Sequence, residues 1–362
     1  MTLRILIAPD KFKGSMTAHE AAGAMARGWR SVRPDDDVTL LPMADGGDGT
    51  AAVLGAVLPD PHWVNVPSVN AIGLPHQGRY LRSADLAVIE LAEICGIAGI
   101  PQPEPMSAHT IGLGIVIAAA IRAGAGRLII APAGSASTDG GTGALAALGA
   151  QFVGYHGSLP VGGGGLTNLA RVDRRRLQPV PDGGVDVLVD VDAVLFGPNG
   201  AAMVFGPQKG ADEDQLRVLD QGLRRLAEVL GGDPDQPGAG AAGGTGYGLA
   251  NWGARLVPGA AAVGDLIGLP RAVDEADVIL TGEGRFDDTS MTGKVCGYVL
   301  GLAGASRTRL IAGSIVGGLA EVVQDAVSLS GLAGSTEAAM AEPERWLSTA
   351  GAQLATQIGS DG

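Results

Sequence analysis

Two short apolar runs at the start of the chain, residues 4–8 (RILIA) and 38–41 (VTLL), are separated by one well-punctuated helix signal. The first, apolar without alternation, fits a strand buried on both faces, as in a parallel sheet, and the second reads as its partner strand. The helix signal opens with Thr17 and Glu20 in T-x-x-E spacing, a capping box. Ala21, Met25, Gly28, Trp29 and Val32 then recur at helical spacing, and Pro34 closes it. This β-α-β unit returns near the C-terminus, where residues 278–280, 310–312 and 326–329 read as strands with helical segments between them. Two strands at the beginning and three at the end predict one five-stranded parallel sheet interrupted by a long insertion.

At 362 residues the chain exceeds one ordinary core, so two domains are expected. With 46% hydrophobic and only 17% charged residues it is a well-buried globular chain. The insertion, roughly 66–264, has a different texture, with Pro- and Gly-rich connectors and strand candidates at 86–90, 128–131 and 185–191. A helix is predicted over about 212–230, where Leu216, Leu219, Leu223, Leu226 and Leu230 form one stripe. Without sustained heptads that stripe reads as core packing.

The formal charge of −13 argues against a nucleic-acid partner and against general attraction to anionic membranes. An anionic substrate would need a local pocket of Lys and Arg. Cys95 and Cys296, the two cysteines, lie far apart in small-apolar contexts and read as reduced core thiols of a cytoplasmic protein. The first apolar run is too short for a signal peptide, and no stretch reaches the ~18 apolar residues of a membrane helix.

Common signatures fail. Gly293-Lys294 is followed by Val295 and is no P-loop, and there is no G-x-S-x-G elbow or zinc spacing. A G-x-G-x-x-G occurs at Gly238, Gly240 and Gly243, but it follows a polar Pro-rich loop where a dinucleotide fingerprint needs a strand.

Several loops combine glycines, hydroxyls, acids and a cation. In residues 42–54, PMADGGDGTAAVL, Asp45 and Asp48 bracket two glycines at a strand end. Asp48 could simply cap the helix that follows, or the glycines could let both acids approach a phosphate or metal. Residues 133–143, AGSASTDGGTG, could aim several donors at a phosphate, or form a strand-to-helix turn capped by Asp139. Lys209 sits in a turn, VFGPQKG. Asp190 and Asp192 alternate after an apolar strand, so both could face one cation or simply meet water at the strand end. Residues 8–15 carry Asp10, Lys11 and Lys13, and residues 281–294 carry Glu283, Arg285, Asp287 and Lys294. In an open parallel sheet ligands bind at the carboxyl ends of strands, where the loops 8–15, 44–50 and 281–294 all fall. Acids for Mg²⁺ and cations for phosphate are the requirements of phosphoryl transfer.

APDKFKGSMTA, PMADGGDGT, AGSASTDGG, VFGPQKGA, GAGAAGG and TGEGRFD…S…GK, in this order over nearly the whole chain, resemble the type 1 glycerate kinase family. The resemblance implies ATP-dependent phosphorylation of D-glycerate with Mg²⁺, commonly at the 2-hydroxyl. It also implies a flavodoxin-like domain of five parallel strands (1–65 plus 265–362) and an inserted α/β domain (66–264) similar to the restriction-endonuclease fold. Lys11 stands where the family usually has Ser, Asp48 where Glu is frequent, and Thr289 where Gln is usual. The family's DV-x-N-P is weakened to Asp190-Val191-Asp192-Ala193-Val194.

Candidate roles follow. Asp45, Asp48, Lys13, Glu283, Arg285 and Asp287 are expected at the reacting centre. Gly134, Ser135, Ser137, Asp139, Gly140, Gly141, Lys209 and Lys294 are expected on ATP. Asp10, Lys11 and Ser314 are expected on glycerate, and Asp45, Asp48, Asp190 and Asp192 on Mg²⁺. A kinase for another small hydroxy acid, or a non-catalytic sensor of a sugar acid or nucleotide, would use similar loops. The surplus of carboxylates beside the cations favours chemistry.

Overall fold

The computed structural model describes residues 2–190, 192–317, 323 and 325–360. By contact density the chain forms two compact units. The first takes the residues up to Asp45, Ala52–Val57 and everything from Gly259 onward; the second takes Gly46–Ala51 and Leu58–Pro258.

The opening strands are β1 (Arg4–Ile7) and β2 (Asp37–Leu40), joined by the helix Ala18–Val32. That helix begins as the sequence predicts. Thr17 Oγ1 accepts the Glu20 amide at 3.2 Å, and Glu20 accepts the Thr17 amide at 2.9 Å. The second unit supplies β3 (His62–Val69), β4 (Pro75–Ser83), β5 (Leu86–Glu90), β6 (Arg127–Ala131), the small antiparallel strands β7 (Gln151–Gly154), β8 (Gly157–Ser158) and β9 (Leu169–Asp173), then β10 (Val185–Val189) and β11 (Arg255–Pro258). The chain closes with β12 (Val278–Phe286), β13 (Thr308–Ile315) and β14 (Asp325–Ser328).

In the first unit the sheet order is β14-β13-β12-β1-β2 and every neighbouring pair is parallel. Renumbered within that sheet, this is the 2-1-3-4-5 order of flavodoxin-like folds, which reverses direction between β1 and β12. Strand β1 is buried on both sides, which explains its unbroken apolar sequence. Ile5 and Ile7 pack with Met25, Trp29, Leu347 and Leu354. Leu6 and Ala8 pack with Ile279, Val295 and Val299 on the other face. Gly28 is required where the Ala18–Val32 helix meets the C-terminal helix, since a Cβ there would lie 1.8 Å from the Ser348 carbonyl oxygen.

The second unit is built on a mixed sheet, β11-β10-β6-β5-β4-β3, parallel from β11 to β5 and antiparallel from β5 to β3. The helix Glu213–Leu230 carries the predicted leucine stripe into the core beside Leu128, Ile130 and Val187. Leu219, Leu223 and Leu226 are fully buried, each contributing roughly 1.5–3 kcal/mol.

Three sequence expectations change here. The boundaries expected at 65/66 and 264/265 fall inside β3 and the helix Gly259–Ile267, whereas by contact density the units divide at 45/46, 51/52, 57/58 and 258/259. Strands β12 and β13 run several residues beyond their apolar stretches, so Glu283, Arg285 and Ser314 stand on strands and not in loops. Strand β10 ends at Val189, and Val191, inside the expected strand, lies outside the described residues.

Candidate active site

Backbone pairing beyond the ends of β1 and β2 gathers the first group of side chains. The Ala8 and Asp10 amides donate to the carbonyls of Leu280 and Gly282, both at 2.8 Å, extending β1 along β12. The Leu41 and Met43 amides donate to the carbonyls of Ile7 and Pro9, both at 2.9 Å, extending β2 along β1. Asp10, Asp45 and Glu283 therefore emerge together at the carboxyl end of the sheet, at its reversal point. All three are nearly buried, each 8% exposed.

Burial, followed by the neighbouring charges of Asp45 and Glu283, pushes the Asp10 carboxyl up to about 7, against the pull of Lys11. Its Oδ1 accepts the Lys11 amide at 2.7 Å. Burial also raises the Glu283 carboxyl, and Asp45 adds to the rise. Hydrogen bonds with Ser290 and Cys296 and the Lys294 charge oppose it. One carboxylate oxygen, Glu283 Oε1, is buried without a hydrogen-bond partner.

The segment after β12 is organised by Asp287. Its carboxylate accepts the Thr289 hydroxyl at 2.6 Å and the Thr289 amide at 3.0 Å, and it pairs with Arg285 at 3.2 Å. The Thr289 hydroxyl bond is the main reason its carboxyl lies below the ordinary range. Lys294 Nζ donates to Thr289 Oγ1 at 3.0 Å. Ser290 Oγ accepts the Asp287 amide at 3.0 Å while bonded to Glu283, so this buried serine ties the turn to the acid cluster. Thr289, a departure from the family pattern, thus holds both Asp287 and Lys294. Lys13 and Arg285 are exposed, and Lys11 and Ser314 are half-buried.

In the second unit the segment 134–142 follows β6 and folds against the glycine run 238–244. Ala242, Gly243 and Gly244 all adopt left-handed backbone, and the Gly140 amide donates to the Gly243 carbonyl at 3.0 Å. A Cβ on Gly243 would lie 2.1 Å from the Ser137 carbonyl oxygen, so this approach requires glycine. Lys209 is almost fully buried (3% exposed) and donates to Ser135 Oγ and to the Ser137 carbonyl. Burial lowers its ammonium to about 8, against the favourable charge of Asp139. Ser137 Oγ and Thr138 Oγ1 are buried without hydrogen-bond partners. Buried polar atoms are nearly always paired, so the two hydroxyls are candidates to meet a polar ligand.

Asp139 has a different part from the one expected. Its carboxylate accepts from the Thr110 amide and hydroxyl and from the amides of Gly141 and Gly143, at 2.8–3.2 Å. Those bonds shape the loop. The capping reading suits it better than ligand contact.

Asp48, in the 46–51 loop, and the two acids at 190 and 192 stand outside both the β12 cluster and the 134–142 loop. Asp48 is exposed. The Gly49 and Ala51 amides at the start of the helix Thr50–Gly55 are received by Glu90, at 3.3 and 2.6 Å. Sequence reasoning missed Glu90, although an acid ending the apolar strand LAVIE was its signal. Asp190 and Asp192 lie past the end of β10, so strand alternation does not aim them together. Among the described residues no three Asp, Glu, His or Cys side chains are grouped to hold a metal ion.

The first unit presents acids and cations at the reversal point of a parallel sheet, and the second carries glycine loops and a buried ammonium, the kinds of group that a kinase uses. The chain belongs to the glycerate kinase family, which it matches over residues 5–359. It is 40% identical to the glycerate kinase of Bacillus subtilis, covering 84% of this chain and 82% of that protein. It is 39% identical to the glycerate 2-kinase of Escherichia coli, covering 81% and 80%. Its structure resembles that of a Salmonella typhimurium LT2 protein assigned as glycerate kinase 2, with a TM-score of 0.84 and 33% identity over 100% of this chain and 99% of that one.

Proposed function

We propose that this kinase transfers the γ-phosphoryl group of ATP to D-glycerate, at the 2-hydroxyl, giving 2-phosphoglycerate and ADP. The observation that carries the reading is the Asp10–Asp45–Glu283 cluster at the reversal point of the sheet. A carboxyl poised near 7 is suited to take up the hydroxyl proton at neutral pH. Asp10 takes that proton, the freed oxygen forms the new P–O bond, and the electron pair of the broken bond leaves on ADP. Lys11, Lys13 and Arg285 offer positive charge to the glycerate carboxylate and the moving phosphate, and Ser314 offers a hydroxyl to glycerate.

ATP phosphates suit the 134–142 loop, with donors from Gly134, Ser135, Ser137, Gly140 and Gly141 and charge from Lys209; Lys294 offers a further cation. Mg²⁺ commonly takes one or two carboxylates together with phosphate oxygens and waters. The partnerless Glu283 Oε1 beside Asp45 fits that demand, and the ion would neutralise charge on the transferring group. The E. coli relative named glycerate 2-kinase favours the 2-position. Two buried free thiols suit a cytoplasmic enzyme; no helix among the described residues is long and apolar enough to cross a membrane.

The test is ADP release from Mg-ATP with D-glycerate, L-glycerate, tartronate and glycolate in parallel, with NMR of the product. D-glycerate should be turned over fastest and carry phosphate on the 2-oxygen. Negligible release with all four acids would sink the kinase assignment for glycerate. Phosphate on the 3-oxygen would correct the position alone.

A further inference from the structure

Glu90 closes β5, a strand whose five residues are all buried, and is itself only 4% exposed. A carboxylate so placed needs partners, and it finds them 39 and 41 residues upstream: Oε1 accepts the Ala51 amide at 2.6 Å and Oε2 the Gly49 amide at 3.3 Å. The same loop is fixed at its other end by Gly46, with φ of +94°. A Cβ there would fall 2.5 Å from Leu188 Cβ and 3.0 Å from the Leu188 carbonyl oxygen. Between these anchors Thr50 Oγ1 donates to the Gly47 carbonyl at 2.7 Å, bracing the turn that presents Asp48 to solvent. The charges of Glu93 and Asp48 face Glu90, and Glu93 is engaged by Arg79. Arg79, paired with Glu93, also feels the charge of Glu90; the hydrogen bonds that Glu90 itself accepts come from two backbone amides of one loop.

We propose that Glu90 is a positioning residue for phosphoryl transfer: its carboxylate clamps the Gly49 and Ala51 amides and so holds the 46–51 loop, with Asp48, in one working geometry. This rests on the reading that Asp48 acts in the transfer. A carboxylate that served only to cap a short helix would support stability and leave turnover alone.

The experiment compares the parent, Glu90→Gln, Asp48→Asn and the double variant in the full chain. Glu90→Gln keeps the size and one acceptor oxygen but removes the charge. It should lower kcat by roughly 10-fold or more while KM for ATP changes by no more than about 2-fold. Amides of residues 46–51 should exchange faster with solvent, as read by hydrogen–deuterium exchange. In the double variant, Glu90→Gln should cost less than about 2-fold beyond Asp48→Asn, because the two act through one loop. Parent-like kcat in Glu90→Gln, full multiplication of the two losses, or unchanged exchange over 46–51 would each overturn the inference. Asp48→Asn turning over like the parent would instead sink the reading of Asp48, leaving Glu90 to be judged on its own kcat and exchange. Should Glu90→Gln fail to fold, Glu90→Asp, which keeps the charge but shortens the reach, is read by the same two measurements.

Discussion

The Lys209 ammonium meets the Ser135 hydroxyl at 2.9 Å across 74 residues of sequence. A buried ammonium is costly unless it is hydrogen-bonded, and here Ser135 and the Ser137 carbonyl answer two of its three donors. In the same loop the hydroxyls of Ser137 and Thr138 are buried without hydrogen-bond partners.

Lys209→Met should therefore raise KM for ATP by about 10-fold or more, consistent with loss of a charge-assisted contact. The pH dependence has a defined sign. The lysine's folded-state value is depressed from 10.5 to about 8, so between about 8 and 10.5 the unfolded chain holds more protons. Stability from this group thus rises with pH across that window. KM for ATP should rise over the same interval as the ammonium is neutralised. Melting curves and steady-state kinetics from pH 7 to pH 10 check both; an ATP KM that ignores pH and the substitution alike would remove Lys209 from the nucleotide.

Asp45 and Asp48 can be separated from simple turn residues by their amides. Asp48→Asn preserves local hydrogen bonding but not charge, and kcat should fall by about two orders of magnitude or more if the acid works on the reaction. Asp45→Asn should be at least as damaging, and it removes a charge that repels the Asp10 carboxylate, so the melting temperature should hold or rise. Parent-like turnover in both variants would make these acids structural and leave the reaction to Asp10 and Glu283.

The glycine run 238–244 gives a stability contrast. Gly243 and Gly268 both have positive φ, +70° and +77°, yet only Gly243 faces backbone, at 2.1 Å; Gly268 faces open space. Gly268→Ala should cost only the left-handed penalty of roughly 1–2 kcal/mol. Gly243→Ala must also push the Ser137 carbonyl away, so it should lower the melting temperature further and raise KM for ATP. Equal effects of the two changes would show that the loop contact is soft.

Much of the fold was legible from local pattern. The apolar runs of β1, β2 and the start of β12 and the capping box at Thr17 are consequences of neighbouring residues, so they can be read along the chain. So can the leucine stripe of 213–230, where 3.6-residue periodicity aligns the side chains. Burial on two faces accounts for the unalternating run of β1, whereas the edge strand β2 is largely exposed and its short apolar run reflects pairing with β1 alone. What the sequence could not supply was pairing between distant segments. Strand β12 continues through polar Gly282–Arg285 because β13 and the extension of β1 supply hydrogen-bond partners there; its own composition reads as a loop. Asp10, Asp45 and Glu283 are ordinary turn acids in sequence, and only their burial together raises the carboxyls of Asp10 and Glu283. Glu90 reaches amides some 40 residues away, and Lys209 reaches Ser135. Burial and long-range hydrogen bonding are properties of the packed chain, so the loops could be named from sequence while the partnership of their side chains was decided by tertiary structure.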